Sequence, residues 1–98
     1  MQDYLIRQLD DNEFFLPYQI WGDVLRPSSF TSNVIQESGA FYLEVEGCKV
    51  TFSPEPAGLQ ISFEDCDIST EVADRIVQEI LSSVESFTGQ KGKIIHLQ

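Results

Sequence analysis

Apolar and polar side chains alternate along residues 40–64, with the period of two that is typical of strands with one buried face. A two-residue turn at Glu46 and Gly47 sets Leu43 opposite Val50 and puts the apolar side chains of both strands on one side. The same register sets acidic and basic side chains opposite each other on the other side, which is a favourable cross-strand pair. We therefore predict a β-hairpin with a defined register.

The segment SPEPAG, residues 53–58, follows this hairpin and contains two prolines, which have no backbone N–H for a strand ladder. We expect the second strand to end here and a loop to follow. A third alternating run extends from Leu59 to Phe63. The three strands are predicted to form an antiparallel meander over about residues 40–64.

From Thr70 to about Phe87 the apolar spacing changes to that of an amphipathic helix. Ser69 or Asp67 is suited to cap its first turn, and Gly89 is suited to end it in a left-handed conformation. The predicted buried stripe comprises Val72, Ala73, Ile76, Val77, Ile80, Leu81, Val84 and Phe87. This stripe is expected to pack on the apolar face of the meander.

Residues 93–98, KIIHLQ, are predicted to form a last short strand. Because a helix joins it to the third strand, it should run parallel to that strand, which gives a βββαβ order for the C-terminal part. Residues 1–39 are less regular: DYLIRQL fits a short helix capped by Asp3 or a strand, FFLPYQIW an irregular or edge strand, and FTSNVI a short strand. The sequence thus predicts one α+β domain over residues 1–98.

The chain carries 16 acidic and 6 basic residues, for a formal net charge of −10. Binding to nucleic acid or to an anionic membrane depends on clustered lysine and arginine, so neither partner is expected. We find no pattern typical of a secretory signal and no apolar run long enough to span a bilayer, and we expect a cytoplasmic protein. Cys48 and Cys66 are too few for a thiolate zinc site, and we expect both to be buried free thiols.

Side-chain oxygens recur at every second position in Asp65, Asp67, Ser69 and Glu71, which superficially resembles a calcium-binding loop. The sixth and twelfth positions of such a loop require glycine and glutamate, whereas this chain has Thr70 and Ile76. A helix start explains the residues better, and a weak divalent-metal site at Asp65, Asp67 and Glu71 is kept only as an alternative.

His96 is the only histidine, and no serine or cysteine lies in a motif typical of a nucleophile. No glycine spacing resembles a phosphate loop. We therefore expect a chain that is not an enzyme and uses no cofactor.

The charge excess favours a non-enzymatic binding or inhibitory module that presents a negative surface to a basic protein, as an immunity protein or an acidic chaperone does. An alternative is a homo-oligomeric subunit, for instance a homodimer, that buries FFLPYQIW against a copy of itself. The residues predicted to contact a partner are acidic or aromatic: Asp10, Asp11, Glu13, Tyr18, Trp21, Asp23, Tyr42 and Glu44.

Overall fold

The computed structural model describes residues 2–37 and 39–97, without the side chain of Glu37, and in these residues six strands and two helices form an α+β fold. The strands are β1 (Gln2–Gln8), β2 (Ser32–Glu37), β3 (Ala40–Val45), β4 (Cys48–Glu55), β5 (Gly58–Glu64) and β6 (Gly92–Leu97). The helices are α1 (Trp21–Val24) and α2 (Thr70–Thr88), and a single 3-10 turn (Tyr18–Ile20) precedes α1. All strands form one antiparallel sheet with the order β2-β3-β4-β5-β1-β6. The predicted fold class is confirmed.

The hairpin of β3 and β4 has the register predicted from the alternation. Leu43 pairs with Val50 and Glu44 pairs with Lys49. Glu46 and Gly47 form the turn with φ of 52° and 76°, so both residues adopt the left-handed conformation that suits the twist of a two-residue hairpin.

The prediction that β4 ends before SPEPAG is wrong. Strand β4 continues to Glu55, Pro54 pairs with Leu59, and only Pro56 and Ala57 form the turn into β5. The ladder between β3 and β4 ends at Tyr42 and Thr51, so the missing N–H of Pro54 lies beyond the reach of that ladder. A proline is therefore tolerated where the strand has only one hydrogen-bonded neighbour.

The prediction of two free thiols is also wrong, because Cys48 and Cys66 form a disulfide. The register that pairs Lys49 with Glu64 brings the first residue of β4 close to the segment after β5. Asp65 has a left-handed φ of 60°, which bends the chain just before Cys66. The bond ties this junction to the start of β4. A lasting disulfide is more typical of oxidising compartments, and a cytoplasmic location stays a prediction.

Strand β1 lies between β5 and β6 and pairs with both in antiparallel fashion. Two antiparallel steps give β6 the direction of β5, as predicted for the crossover through α2, with β1 inserted between them. Tyr4, Leu5 and Ile6 are all buried, which is the pattern of a central strand rather than of an amphipathic helix. The last residue of the predicted strand, Gln98, lies outside the described residues.

Helix α2 begins and ends as predicted: the Ser69 hydroxyl accepts a hydrogen bond from the Val72 N–H, and Gly89 ends the helix with φ of 74°. Its apolar stripe packs on the sheet, and Ile76, Ile80 and Val84 are fully buried. Phe87, which was predicted to complete the buried stripe, is instead 52% exposed. It lies at the end of the helix, past the part of the stripe that the sheet covers.

Residues 9–31 pack beside α2, on the same side of the sheet. The Trp21 ring contacts those of Phe41 and Phe52, and the backbone N–H of Ser29 donates to Glu79 Oε1 at 2.7 Å. That hydrogen bond holds the pKa of Glu79 below its ordinary value. The segment FFLPYQIW is therefore not a strand, because it closes the core as a loop, a 3-10 turn and the start of α1.

We call the opposite side of the sheet, away from α1 and α2, the outer face. Tyr42, Glu44, Thr51, Ser62 and Glu64 lie on it, as the alternation predicts for polar side chains. Neither helix in the described part of the chain is long and apolar enough to cross a membrane.

Candidate functional site

The predicted partner-binding residues do not form one surface. Asp10, Asp11 and Glu13 are exposed in the loop after β1, but Asp11 is neutralised locally. The Lys93 ammonium donates a hydrogen bond to the Asp11 carboxylate, and Arg7 lies 3.5 Å from it. The Lys93 contact, reinforced by Arg7, holds the pKa of Asp11 below its ordinary value.

Of the two predicted aromatic anchors near the N-terminus, Trp21 belongs to the core and Tyr18 is exposed beside it. Trp21 is 7% exposed, its indole N–H donates to the Leu16 carbonyl at 3.1 Å, and its ring lies 5.0 Å from that of Tyr18. Tyr18 is 44% exposed, and Asp23 is exposed on α1. These three residues lie on the side of the sheet that carries α2, away from the outer face.

The alternative of a metal site at Asp65, Asp67 and Glu71 is not supported. Among residues 2–37 and 39–97 no three histidine, cysteine or acidic side chains come together as a group that could hold a metal ion. Asp67 precedes the capping residue of α2, and Glu71 lies in the first turn of the helix. The carboxylates occur at this helix start, where they complement the positive end of the helix dipole.

Five acidic residues lie at one end of the sheet, which we call the acidic end. They come from the end of β3, the following turn, the end of β5 and the junction before α2. The members are Glu44, Glu46, Glu64, Asp65 and Asp67. Only Glu44 among them was predicted to contact a partner.

Lys49 is the basic residue in the middle of the acidic end. It pairs across the ladders with Glu44 on one side and with Glu64 on the other. Its ammonium lies over the Tyr42 ring, 4.7 Å from the centroid, and both salt bridges within the described residues involve Asp11 instead. Glu44 and Glu64 therefore keep carboxylates that no nearby base neutralises in a salt bridge.

An open groove of about 530 Å³ follows this surface. Its lining residues are Tyr42, Glu44, Gly47, Cys48, Lys49 and Asp65. The Tyr42 ring provides apolar surface, and Glu44 and Asp65 provide negative charge. The groove suits a side chain that is flat or aliphatic along its length and positively charged at its tip.

The backbone around the groove is held in place from three directions. The turn at Glu46 and Gly47 is a tight hairpin, Asp65 takes a left-handed conformation, and the disulfide joins Cys48 to Cys66. In addition, the Thr51 hydroxyl donates to Glu64 Oε2 at 2.9 Å. The acidic end is therefore formed largely in advance of any binding.

The alternation in the sequence places Glu64 on the same face as Glu44. Sequence reasoning did not group Glu46, Asp65 and Asp67 with them, because it treated residues 53–58 as a loop without register. Counting back from a two-residue turn at Pro56 and Ala57 pairs Lys49 with Glu64. That count would also have brought the two cysteines together. The register of β4 and β5 can thus be read from the sequence once the turn between them is known to have two residues.

A second polar cluster lies at the other edge of the sheet. The Tyr4 hydroxyl donates to Asp74 Oδ1 at 2.6 Å, and the Tyr4 ring stacks on that of His96 at 4.6 Å. Burial raises the pKa of Tyr4 well above its ordinary value, and the hydrogen bond to Asp74 and the charge of that carboxylate add to the effect. Asp74, Gln78 and His96 line a cavity of about 220 Å³ beside it. The phenol is protonated, and its hydrogen bond to Asp74 joins β1 to α2.

The acidic end and its groove are thus the arrangement on the described surface with the clearest chemical character. Comparison of the chain with protein-family profiles, with curated proteins and with solved structures gave no match.

Proposed function

We propose that the chain is a non-enzymatic protein-binding module whose acidic end holds a basic segment of a partner protein. The observation that carries the proposal is the groove beside Tyr42, which Glu44 and Asp65 line at an end of the sheet that holds five acidic residues. An inhibitor that masks the basic surface of an enzyme and a chaperone that holds a basic client are two forms of such a module.

The chemistry of the groove favours arginine or lysine side chains of the partner. Glu44 and Asp65 can accept charge-assisted hydrogen bonds, while the Tyr42 ring can contact the aliphatic stem or the guanidinium plane. Lys49 already occupies the face of Tyr42 in this way within the chain. A partner cation would extend or replace that contact.

The fixed backbone favours specific rather than diffuse attraction. A site that is already ordered loses little conformational entropy on binding, so more of the interaction energy appears as affinity. The excess of negative charge, a net −10, would in addition accelerate encounter with a positively charged partner at low salt.

The test compares two variants that remove the same number of charges. One carries Glu44→Gln and Asp65→Asn at the groove, and the control carries Asp23→Asn and Glu55→Gln, both exposed positions away from it. Their net charges are identical, so long-range attraction is matched. The probes are a fluorescein-labelled peptide of alternating arginine and glycine, followed by fluorescence anisotropy, and lysozyme as a basic folded protein.

We expect the groove variant to bind the peptide about fivefold or more weakly than the parent chain, and the control variant to bind within about twofold of it. Binding should also weaken between about 50 and 500 mM salt, because exposed ion pairs are screened. Equal losses in the two variants would show that only net charge matters and would contradict the proposal.

A further inference from the structure

An apolar patch lies at the end of the sheet opposite the acidic end. It consists of Leu9, Phe15 and Phe87, whose side chains are 61%, 82% and 52% exposed. Phe15 and Phe87 line a groove of about 450 Å³ together with Gln8, Thr88 and Gln90. The patch joins the loop after β1 to the C-terminal end of α2, two segments far apart in the sequence.

The charges around the apolar patch are mixed, unlike those at the acidic end. The N–H of Leu9 donates to the carbonyl of Lys91 at 3.2 Å, which places an exposed lysine beside Asp10. Glu13 is exposed in the same loop. Within the described part of the chain, Asp10, Glu13 and Lys91 form no salt bridge. Both signs of unpaired charge therefore border one apolar patch.

Such a border is complementary to itself. In a dimer with twofold symmetry the same patch of both copies forms the interface, and each contact occurs twice. A lysine of the first copy can therefore pair with an acid of the second, while the lysine of the second pairs with the same acid of the first. Arg7, Lys91 and Lys93 supply three of the six basic residues of the chain to this end. It is therefore the end at which two chains of net charge −10 repel each other least.

We propose that the occupant of the apolar patch is a second copy of this chain, which packs Leu9, Phe15 and Phe87 against the same residues of the first. Lys91 of each copy then pairs with Asp10 or Glu13 of the other. The acidic ends point outward at the two extremes of the dimer. This proposal does not rest on the proposed function, since it concerns the opposite end of the molecule.

The size of the patch sets the expected strength. A stable interface buries about 800 Å² on each partner, about a seventh of the 5583 Å² surface of this chain. Three exposed apolar side chains with a polar border provide the centre of such an interface but not a large one. The dimer should therefore form at micromolar rather than nanomolar concentration.

Sedimentation velocity from about 2 to 200 µM protein tests the proposal. The parent chain should shift from monomer to dimer across this range, whereas a variant with Phe15→Ser and Phe87→Gln should remain monomeric. Both positions are exposed, and circular dichroism with thermal melting will verify that the variant is folded. The matched control, Tyr18→Gln, changes another exposed aromatic outside the patch and should dimerise as the parent does.

A charge exchange identifies the border contacts. Lys91→Glu alone, and Asp10→Lys with Glu13→Lys alone, should each weaken the dimer about tenfold. A mixture of the two variants should form a heterodimer, because the opposite charges then meet again. A parent chain that is monomeric at 200 µM would overturn the proposal. So would a dimer that persists in the Phe15→Ser and Phe87→Gln variant, which would assign the interface to another surface such as the free edge of β6.

Discussion

Tyr4 is 1% exposed, its ring contacts those of Phe63 and His96, and its hydroxyl donates a hydrogen bond to the Asp74 carboxylate. Ionising it in the folded chain would place two negative charges together away from water, which is why the pKa is raised. In the unfolded chain the phenol titrates near its ordinary value of 10.0. The stability contributed by this phenol is thus fully present below pH 10 and is lost as the pH rises above it.

Tyr4→Phe should lower the free energy of unfolding by about 1 to 2 kcal/mol at pH 7, because it removes a hydrogen bond to a charged group and leaves Asp74 without this donor. The variant should also lose part of the decline in stability above about pH 10. Urea denaturation at pH 7, 9 and 11 measures both effects. Parallel pH profiles for the variant and the parent would contradict the assignment of the alkaline decline to Tyr4.

Glu46 occupies a left-handed conformation, with φ of 52°, that a glutamate side chain rarely adopts and that asparagine tolerates better. Glu46→Asn should raise the free energy of unfolding by about 0.5 to 1 kcal/mol, measured by urea denaturation. Gly47→Ala in the same turn, at φ of 76°, should lower it by about 1 kcal/mol or more. If both substitutions shift stability in the same direction, the turn geometry is not the cause.

Among the elements, the junction between β5 and α2 depends most on the disulfide, which spans 18 positions along the chain. In the loop-entropy description a cross-link of this span stabilises the fold by about 3 kcal/mol. Reduction should lower the urea midpoint accordingly. A Cys48→Ala and Cys66→Ala double variant should have the midpoint of the reduced chain, and added reductant should not change it. Equal midpoints for the oxidised and reduced parent would show that the β4 and β5 ladder alone holds the junction.

Elements whose contacts are local were predictable from the sequence. The alternation of apolar and polar residues predicts the hairpin around Glu46, and the capping residues predict the limits of α2. Both signals lie within a few residues of the element. The central position of β1 was not predictable, because the periodicity of Tyr4 to Ile6 does not reveal which strands flank it. The acidic end was missed for a similar reason, since it depends on the register set by the turn at Pro56.

At the scale of the whole molecule the charges are unevenly distributed. The acidic end holds five acidic residues and one base, Lys49, whereas the opposite end mixes acids with Arg7, Lys91 and Lys93. Like charges held together in the folded chain repel each other more than in the extended unfolded chain. Repulsion among the carboxylates of the acidic end should therefore lower the stability of the fold at low ionic strength.

The melting temperature of the parent should consequently rise when salt is increased from about 20 to 500 mM, because the screening length falls from about 20 Å to about 4 Å over this range. The variant with Glu44→Gln and Asp65→Asn should melt at a higher temperature in low salt and respond less to added salt. Differential scanning fluorimetry at low micromolar protein measures both. A salt response that is unchanged in this variant would place the repulsion elsewhere on the surface.

The position of β1 also governs the order in which the chain can fold. During synthesis the segment with Tyr4, Leu5 and Ile6 emerges before either strand that flanks it, and 94 positions separate Gln2 from His96, which it contacts in the finished sheet. Refolding should therefore be slow for a chain of this length. A circular permutant that joins residues 2 and 97 by a short linker and opens the chain between Gly89 and Lys91 makes β6 and β1 a local hairpin. In stopped-flow experiments it should refold faster than the parent, because β1 and β6 then pair over a short sequence separation.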